Sequence, residues 1–95
     1  MAGYVIAQVE VTDPAGFAEY RQLVGPTVEQ YGGSYVVRGG ATETVEGDWQ
    51  PQRLVILRFD SVAQARKWYY SPEYEGPKAL RQRSANSQVT FVEGM

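Results

Sequence analysis

The chain has 95 residues, a formal charge of −2 and 43% hydrophobic residues, which fits one globular domain near the lower size limit for a self-sufficient core. It contains neither cysteine nor histidine, so disulfides, thiolate nucleophiles, thiolate or imidazole metal ligands and a serine–histidine–aspartate triad are excluded. Its acidic balance argues against a nucleic-acid surface, and no apolar run approaches the ~18 residues of a membrane span, so a soluble, cytoplasmic protein without metal or cofactor is expected.

From Gly3 to Val11 the residues alternate as in a strand, with Val5, Ala7, Val9 and Val11 on one side and Tyr4, Ile6, Gln8 and Glu10 on the other. Asp13-Pro14 then reads as a helix cap and first turn. Phe17, Tyr20, Val24, Val28 and Tyr31 recur at helical spacing and mark a core stripe. Gly25-Pro26 interrupts that stripe, and a proline there removes a backbone donor, so a kink or break is expected between Gln22 and Pro26. Gly32-Gly33 ends the helix.

Ser34 to Arg38 reads as a second strand that continues, past Gly39-Gly40, through Ala41 to Val45. The paired glycines suggest a bulge or a close backbone approach. Glu46 to Pro51 makes the turn of a long hairpin, and Arg53 to Phe59 returns as the third strand. Trp49, near the hairpin tip, is expected to pack on a neighbouring subunit or on the base of its own hairpin, because a free indole would leave a large apolar surface wet.

Ser61-Val62-Ala63-Gln64 fits a capping box, followed by a helical stripe through Ala65 and Trp68. Ser71-Pro72 caps a further short helix carrying Tyr74, Gly76-Pro77 interrupts it, and Lys78 to Ala85 is helical again. Gln88 to Glu93 forms the last strand. This order gives a ferredoxin-like βαββαβ plan of the α+β class, one domain over residues 1–95, with a four-stranded antiparallel sheet and its helices on one face. Leu54, Val55, Ile56 and Leu57 are apolar on both alternating faces, so the face without helices needs a second cover, and sheet-to-sheet packing of a homodimer supplies it.

Tyr4 with Val11-Thr12-Asp13-Pro14, Tyr31-Gly32-Gly33, Arg38-Gly39-Gly40, Glu46-Gly47-Asp48-Trp49, Ser71-Pro72-Glu73-Tyr74, Arg81 and Val92-Glu93-Gly94 resemble, in order and spacing, a small bacterial family catalogued as domain of unknown function 1330. The resemblance covers nearly the whole chain and implies a dimeric α/β barrel, in which two ferredoxin-like sheets face each other. Enzymes of that superfamily include cofactor-free quinone-forming monooxygenases, muconolactone isomerase and a haem-dependent chlorite dismutase. A histidine haem ligand cannot be carried over, because the chain has none.

Strand alternation suggests a mostly apolar pocket inside such a barrel, lined by Tyr4, Ile6, Gln8, Glu10, Leu54, Ile56 and Arg58. Seven of the nine basic residues are arginine, a bias compatible with fork-like recognition of carboxylates. Arg38 before the double glycine, Arg58 on the neighbouring strand, Arg81 and Tyr74 at the mouth, with Glu10 and Tyr4, are the candidate ligand contacts, and a small aromatic or unsaturated acid is the expected ligand. Tyr74, read as lying in the turn of a broken helix, is the candidate lid. Tyr20 and Trp68 read as core, and each arginine could instead bridge to Glu10, Glu46 or Glu73. The chain thus reads as a dimeric small-molecule protein, either a binder or a cofactor-independent enzyme. A structural or regulatory dimer is the alternative, and RNA binding is disfavoured by the apolar third strand and net acidity.

Overall fold

Strand registers place the residues of this chain on two opposed surfaces of one sheet. In the computed structural model, which describes residues 1–95, the elements are β1 (Gly3–Val11), α1 (Pro14–Gln30), β2 (Ser34–Arg38), β3 (Arg53–Phe59), α2 (Val62–Tyr69), α3 (Pro72–Ser84) and β4 (Ala85–Glu93). The antiparallel sheet has the order β2-β3-β1-β4, so the first and third strands are central and each half of the chain crosses over one strand. This is the ferredoxin-like arrangement.

Residues paired across strands share a face. Val5 lies between Leu57 and Phe91, and Ala7 between Val55 and Val89, on the helix side. Tyr4 lies between Arg58 and Val92, and Ile6 between Ile56 and Thr90, on the open side. The core fills the helix side: Val5, Val9, Leu57 and Phe59 from the sheet meet Phe17, Tyr20, Val24, Val28, Ala65, Trp68 and Tyr74 from the helices. Trp68 stacks against Tyr74 and Phe59, with ring centroids 4.2 and 5.5 Å away. Its indole N–H donates to Thr27 Oγ1 at 3.0 Å, which satisfies the polar edge of a nearly wholly buried ring. No helix is long and apolar enough to cross a membrane.

Local signals account for the helix ends. Asp13 accepts from the Gly16 N–H, Ser61 from Gln64 and Ser71 from Tyr74, each as an N-cap. At the end of α1, Gly32 takes φ +78°, while Gly33 and Gly32 donate to the Val28 and Glu29 carbonyls, the paired bonds of a Schellman motif. The capping box at Ser61 is only half formed. The Gln64 side chain donates to the Tyr31 carbonyl at 2.9 Å and ties α2 to the end of α1 instead of reaching back to its own cap.

Three expectations are corrected. Neither Gly25-Pro26 nor Gly76-Pro77 breaks its helix: α1 and α3 run through Pro26 and Pro77. The carbonyls that lose a partner belong to Gln22 and Glu73, both solvent-exposed residues, so water can take the place of the missing N–H. The second strand stops at Arg38, and Ala41 to Val45 is exposed and irregular. Gly39, at φ +71°, donates its N–H to Leu54 and turns the chain out of the sheet, while the register slip of this hairpin lies between Tyr35 and Val37. The last strand begins at Ala85, three residues before Gln88. Trp49 folds back across the open face, where its indole N–H donates to Gln8 Oε1 at 2.9 Å close to Ile6 and Leu54, and it remains 62% exposed.

Candidate functional site

Between the sheet and the helices lies a cavity of about 50 Å³ lined by seventeen residues. Thirteen are hydrophobic and the other four are Arg21, Arg38, Arg53 and Arg81; no carboxylate is among them. A mostly apolar wall that includes four arginines, Arg81 buried, Arg53 half-buried and Arg21 and Arg38 exposed, and no acidic side chain is electrostatically complementary to an anion.

The arginines arrive from four elements: Arg21 from α1, Arg38 from β2, Arg53 from β3 and Arg81 from α3. Arg53 opens β3, and its pairing with Val9 fixes it on the helix side. Its Cζ lies 5.7 Å from the Phe17 ring, and its Nε is buried with no hydrogen-bond partner. Burial first, and then the neighbouring charges of Arg21 and Arg38, push its pKa below the usual arginine range. Arg38 ends β2 beside Val55, with its guanidinium 4.4 Å over the Tyr35 ring. Gly39 leaves room for Arg53: a Cβ there would run into the Arg53 guanidinium. The close approach anticipated at the double glycine therefore exists, with Arg53 as the group that uses it.

Arg81, on α3, is only 5% exposed. It donates from Nε to the Tyr74 hydroxyl at 3.3 Å and from an Nη to the Tyr69 hydroxyl at 3.4 Å. Burial works to lower its pKa, but the phenolic oxygens of Tyr74, Tyr20 and Tyr69 outweigh it and the net direction is up. The Tyr74 and Tyr20 hydroxyls are 2.8 Å apart. Burial, then the adjacent Tyr74, hold the Tyr20 hydroxyl above the ordinary phenol range, and Arg81 offsets this only in part. Tyr35 is raised as well, chiefly by burial.

The six sequence candidates divide between the two faces. Arg38, Tyr74 and Arg81 line the cavity under the helices. Tyr4, Glu10 and Arg58 do not: Tyr4 pairs with Arg58 on the open face, Arg58 is exposed opposite Ser34, and Glu10 accepts from Asn86 Nδ2 at 3.2 Å at an exposed position. Alternation along β3 turns Arg58 away from Arg38, so the two cannot share a ligand within one chain. Tyr74 is not a lid, because it sits in the first turn of an unbroken helix, 1% exposed and stacked on Trp68. The carboxylate bridges considered for the arginines are not made by Glu73, which accepts from Tyr31 Oη at 2.6 Å and Gln30 Nε2 at 3.3 Å. Tyr20, Arg21, Tyr35, Arg53 and Tyr69 belong to the cavity wall and were not among the candidates. The available signal was the register of β3, which puts Arg53 on the same face as Leu57 and Phe59.

The cavity is about a third of the roughly 150 Å³ void that takes a benzene ring. The space is smaller than a benzene ring, so an aromatic acid enters only by displacing side chains of the wall.

The model of a family described as a domain of unknown function (DUF1330) matches residues 2–95. The chain belongs to that family. No protein of curated function matches it. Among solved structures, this DUF1330 chain is similar to a protein of unknown function from Rhodopseudomonas palustris, with 20% identity, a TM-score of 0.77, and 99% of this chain and 82% of that one covered. It is also similar to SnoaB, a cofactor-independent oxygenase from Streptomyces nogalater, at 10% identity and a TM-score of 0.67 over 99% and 93% of the two chains. A Caulobacter crescentus protein described as a candidate antibiotic biosynthesis monooxygenase matches at 13% identity and a TM-score of 0.63, covering 99% and 90%. At these identities the likeness establishes the shared fold.

Proposed function

We propose that this DUF1330 protein is a homodimer that binds a small aromatic or unsaturated carboxylic acid in the cavity between its sheet and helices, as a binder or as a cofactor-independent enzyme. The observation that carries the reading is the set of four arginines without a carboxylate, with Arg53 Nε buried and unpartnered. A buried donor without an acceptor costs about 1–3 kcal/mol, and a ligand carboxylate relieves that cost and the mutual repulsion of Arg21, Arg38 and Arg53 together.

In the enzyme form of this proposal, charge developing on the bound acid is stabilised by the guanidinium groups, and the Tyr20 and Tyr74 hydroxyls are the proton-bearing groups within reach. Glu10 takes no part, because it lies on the other face. The SnoaB neighbour supports chemistry without a cofactor as the first kind of enzyme to test. The homodimer proposal rests on the open face, where Tyr4, Ile6, Leu54 and Ile56 are only half-buried and Val92 is 43% exposed, a self-similar apolar surface suited to a second copy.

Thermal melts with a panel of small carboxylates test the ligand. An acid that stabilises the parent should lose most of its shift in Arg38→Ala, Arg53→Gln and Arg81→Ala. Equal shifts in parent and variants would remove the arginines from the site. No shift with any acid would favour the alternative of a structural or regulatory dimer.

A further inference from the structure

We infer that the ligand of this cavity is a small acid carrying a second oxygen, phenolic or enolic, besides its carboxylate, and that the Arg81–Tyr74–Tyr20 chain holds that oxygen as an anion. This rests on the carboxylate reading above and extends it to a second group on the wall of the same chamber.

Arginine has only donors, so its 3.3 Å contact uses the Tyr74 oxygen as acceptor. Tyr74 and Tyr20 together carry two hydroxyl hydrogens, and the single 2.8 Å bond between them uses one. The other has no acceptor in the protein, although Tyr20 is 9% and Tyr74 1% exposed. If Tyr20 donates to Tyr74, the Tyr74 oxygen must accept twice and its own hydrogen is left over. If Tyr74 donates to Tyr20, the dipoles run in one direction from the guanidinium outward, each bond polarises the next, and the free hydrogen belongs to Tyr20. Tyr20 lines the cavity, so an acceptor beside it completes the chain.

The second orphaned donor is Arg53 Nε. Phe17 neighbours both residues: its ring is 5.7 Å from the Arg53 guanidinium carbon and 5.4 Å from the centroid of the Tyr20 ring. Two separate buried donors on one chamber wall call for two acceptors. A carboxylate satisfies Arg53 and its neighbours, and a second oxygen satisfies Tyr20.

That second oxygen is favoured as an anion. Tyr20 is held protonated, so it stays a donor toward that oxygen, and a doubly ionised ligand offsets two of the four positive charges on the wall. Ionisation is a simple loss of H⁺ from the ligand O–H, with the electron pair staying on oxygen. The lining holds no carboxylate, histidine or lysine, so the proton passes to bulk water.

The test compares 4-hydroxybenzoate, which has both oxygens, with benzoate, which lacks the second, by titration calorimetry at pH 8 in two buffers of different ionisation enthalpy. The parent should bind 4-hydroxybenzoate about tenfold more tightly than benzoate, one good charge-assisted hydrogen bond, and release a proton to the buffer only with the hydroxy acid. Tyr20→Phe, checked as folded by circular dichroism, should bring the ratio near one and abolish the proton release. Equal affinity of the parent for the two acids, or a preference and proton release that survive in Tyr20→Phe, overturns the inference and leaves the carboxylate reading standing. Failure of both acids to bind overturns both readings.

Discussion

Replacing Arg53 by methionine should make the ligand-free protein more stable. Arg53 Nε is buried without a partner, and its charge lies beside those of Arg21 and Arg38, which lower its pKa after burial itself. Removing an unsatisfied buried donor recovers about 1–3 kcal/mol. The loss is the cation–π contact with Phe17, which at 5.7 Å is near the outer limit and contributes about 0.5–1 kcal/mol. Methionine keeps an unbranched stem of similar reach, so packing on the chamber wall is retained. The net gain is about 0–2.5 kcal/mol, centred a little above 1 kcal/mol, and at roughly 4–8 °C per kcal/mol for a domain of this size the central value is a readily measured rise in Tm. The assay is differential scanning calorimetry of parent and variant at equal protein concentration, in low and moderate salt. The difference should shrink as salt screens the three mutually repelling guanidinium groups. A Tm equal to or below the parent's would refute the claim that Arg53 is held at a cost for the sake of a ligand.

Ile56→Asp introduces a charge in the middle of the open face, opposite Ile6, and should convert the proposed dimer to monomers or aggregates in light scattering; an unchanged dimer mass would remove that interface. Gly39→Ala forces a positive φ on alanine and drives a methyl group into the Arg53 guanidinium, so chemical denaturation should show a loss of at least ~1 kcal/mol together with weaker acid binding. Tyr20 binds its proton more tightly folded than unfolded, so its contribution to stability is complete below about pH 10, the unfolded phenol value, and declines as pH rises further. Denaturation curves of Tyr20→Phe should therefore fall less steeply than the parent's above that pH, and parallel curves would contradict the assignment.

How far the sequence reached depended on the kind of signal. The alternation of β1 and the apolar run of β3 specified the sheet and its two faces, because a strand has only two sides and one of them must be buried. Ser71-Pro72 marked the start of α3 for the same local reason that the Ser71 hydroxyl caps it. Pro77 misled, and of the kink or break expected near Pro26 the break does not occur, since a deserted carbonyl at an exposed position can turn to water and let the helix continue. The site was half legible. Arg38, Tyr74 and Arg81 were named, but they were joined to Tyr4, Glu10 and Arg58 across a sheet that separates them. Tyr20 was read as core, and it is core and cavity wall at once: its ring packs on Phe17 while its hydroxyl meets Tyr74. Periodicity reports which face a residue occupies, and nothing in it distinguishes a filled interior from one holding unpartnered donors.

The central claim is that the arginine-lined space under the helices is where a small acid binds. A crystal structure of the protein grown with 4-hydroxybenzoate tests it most directly. The carboxylate should lie within hydrogen-bond distance of Arg53 Nε, with the ring alongside Phe17. An acid seated instead on the open face of the sheet, against Arg58 and Tyr4, would contradict it.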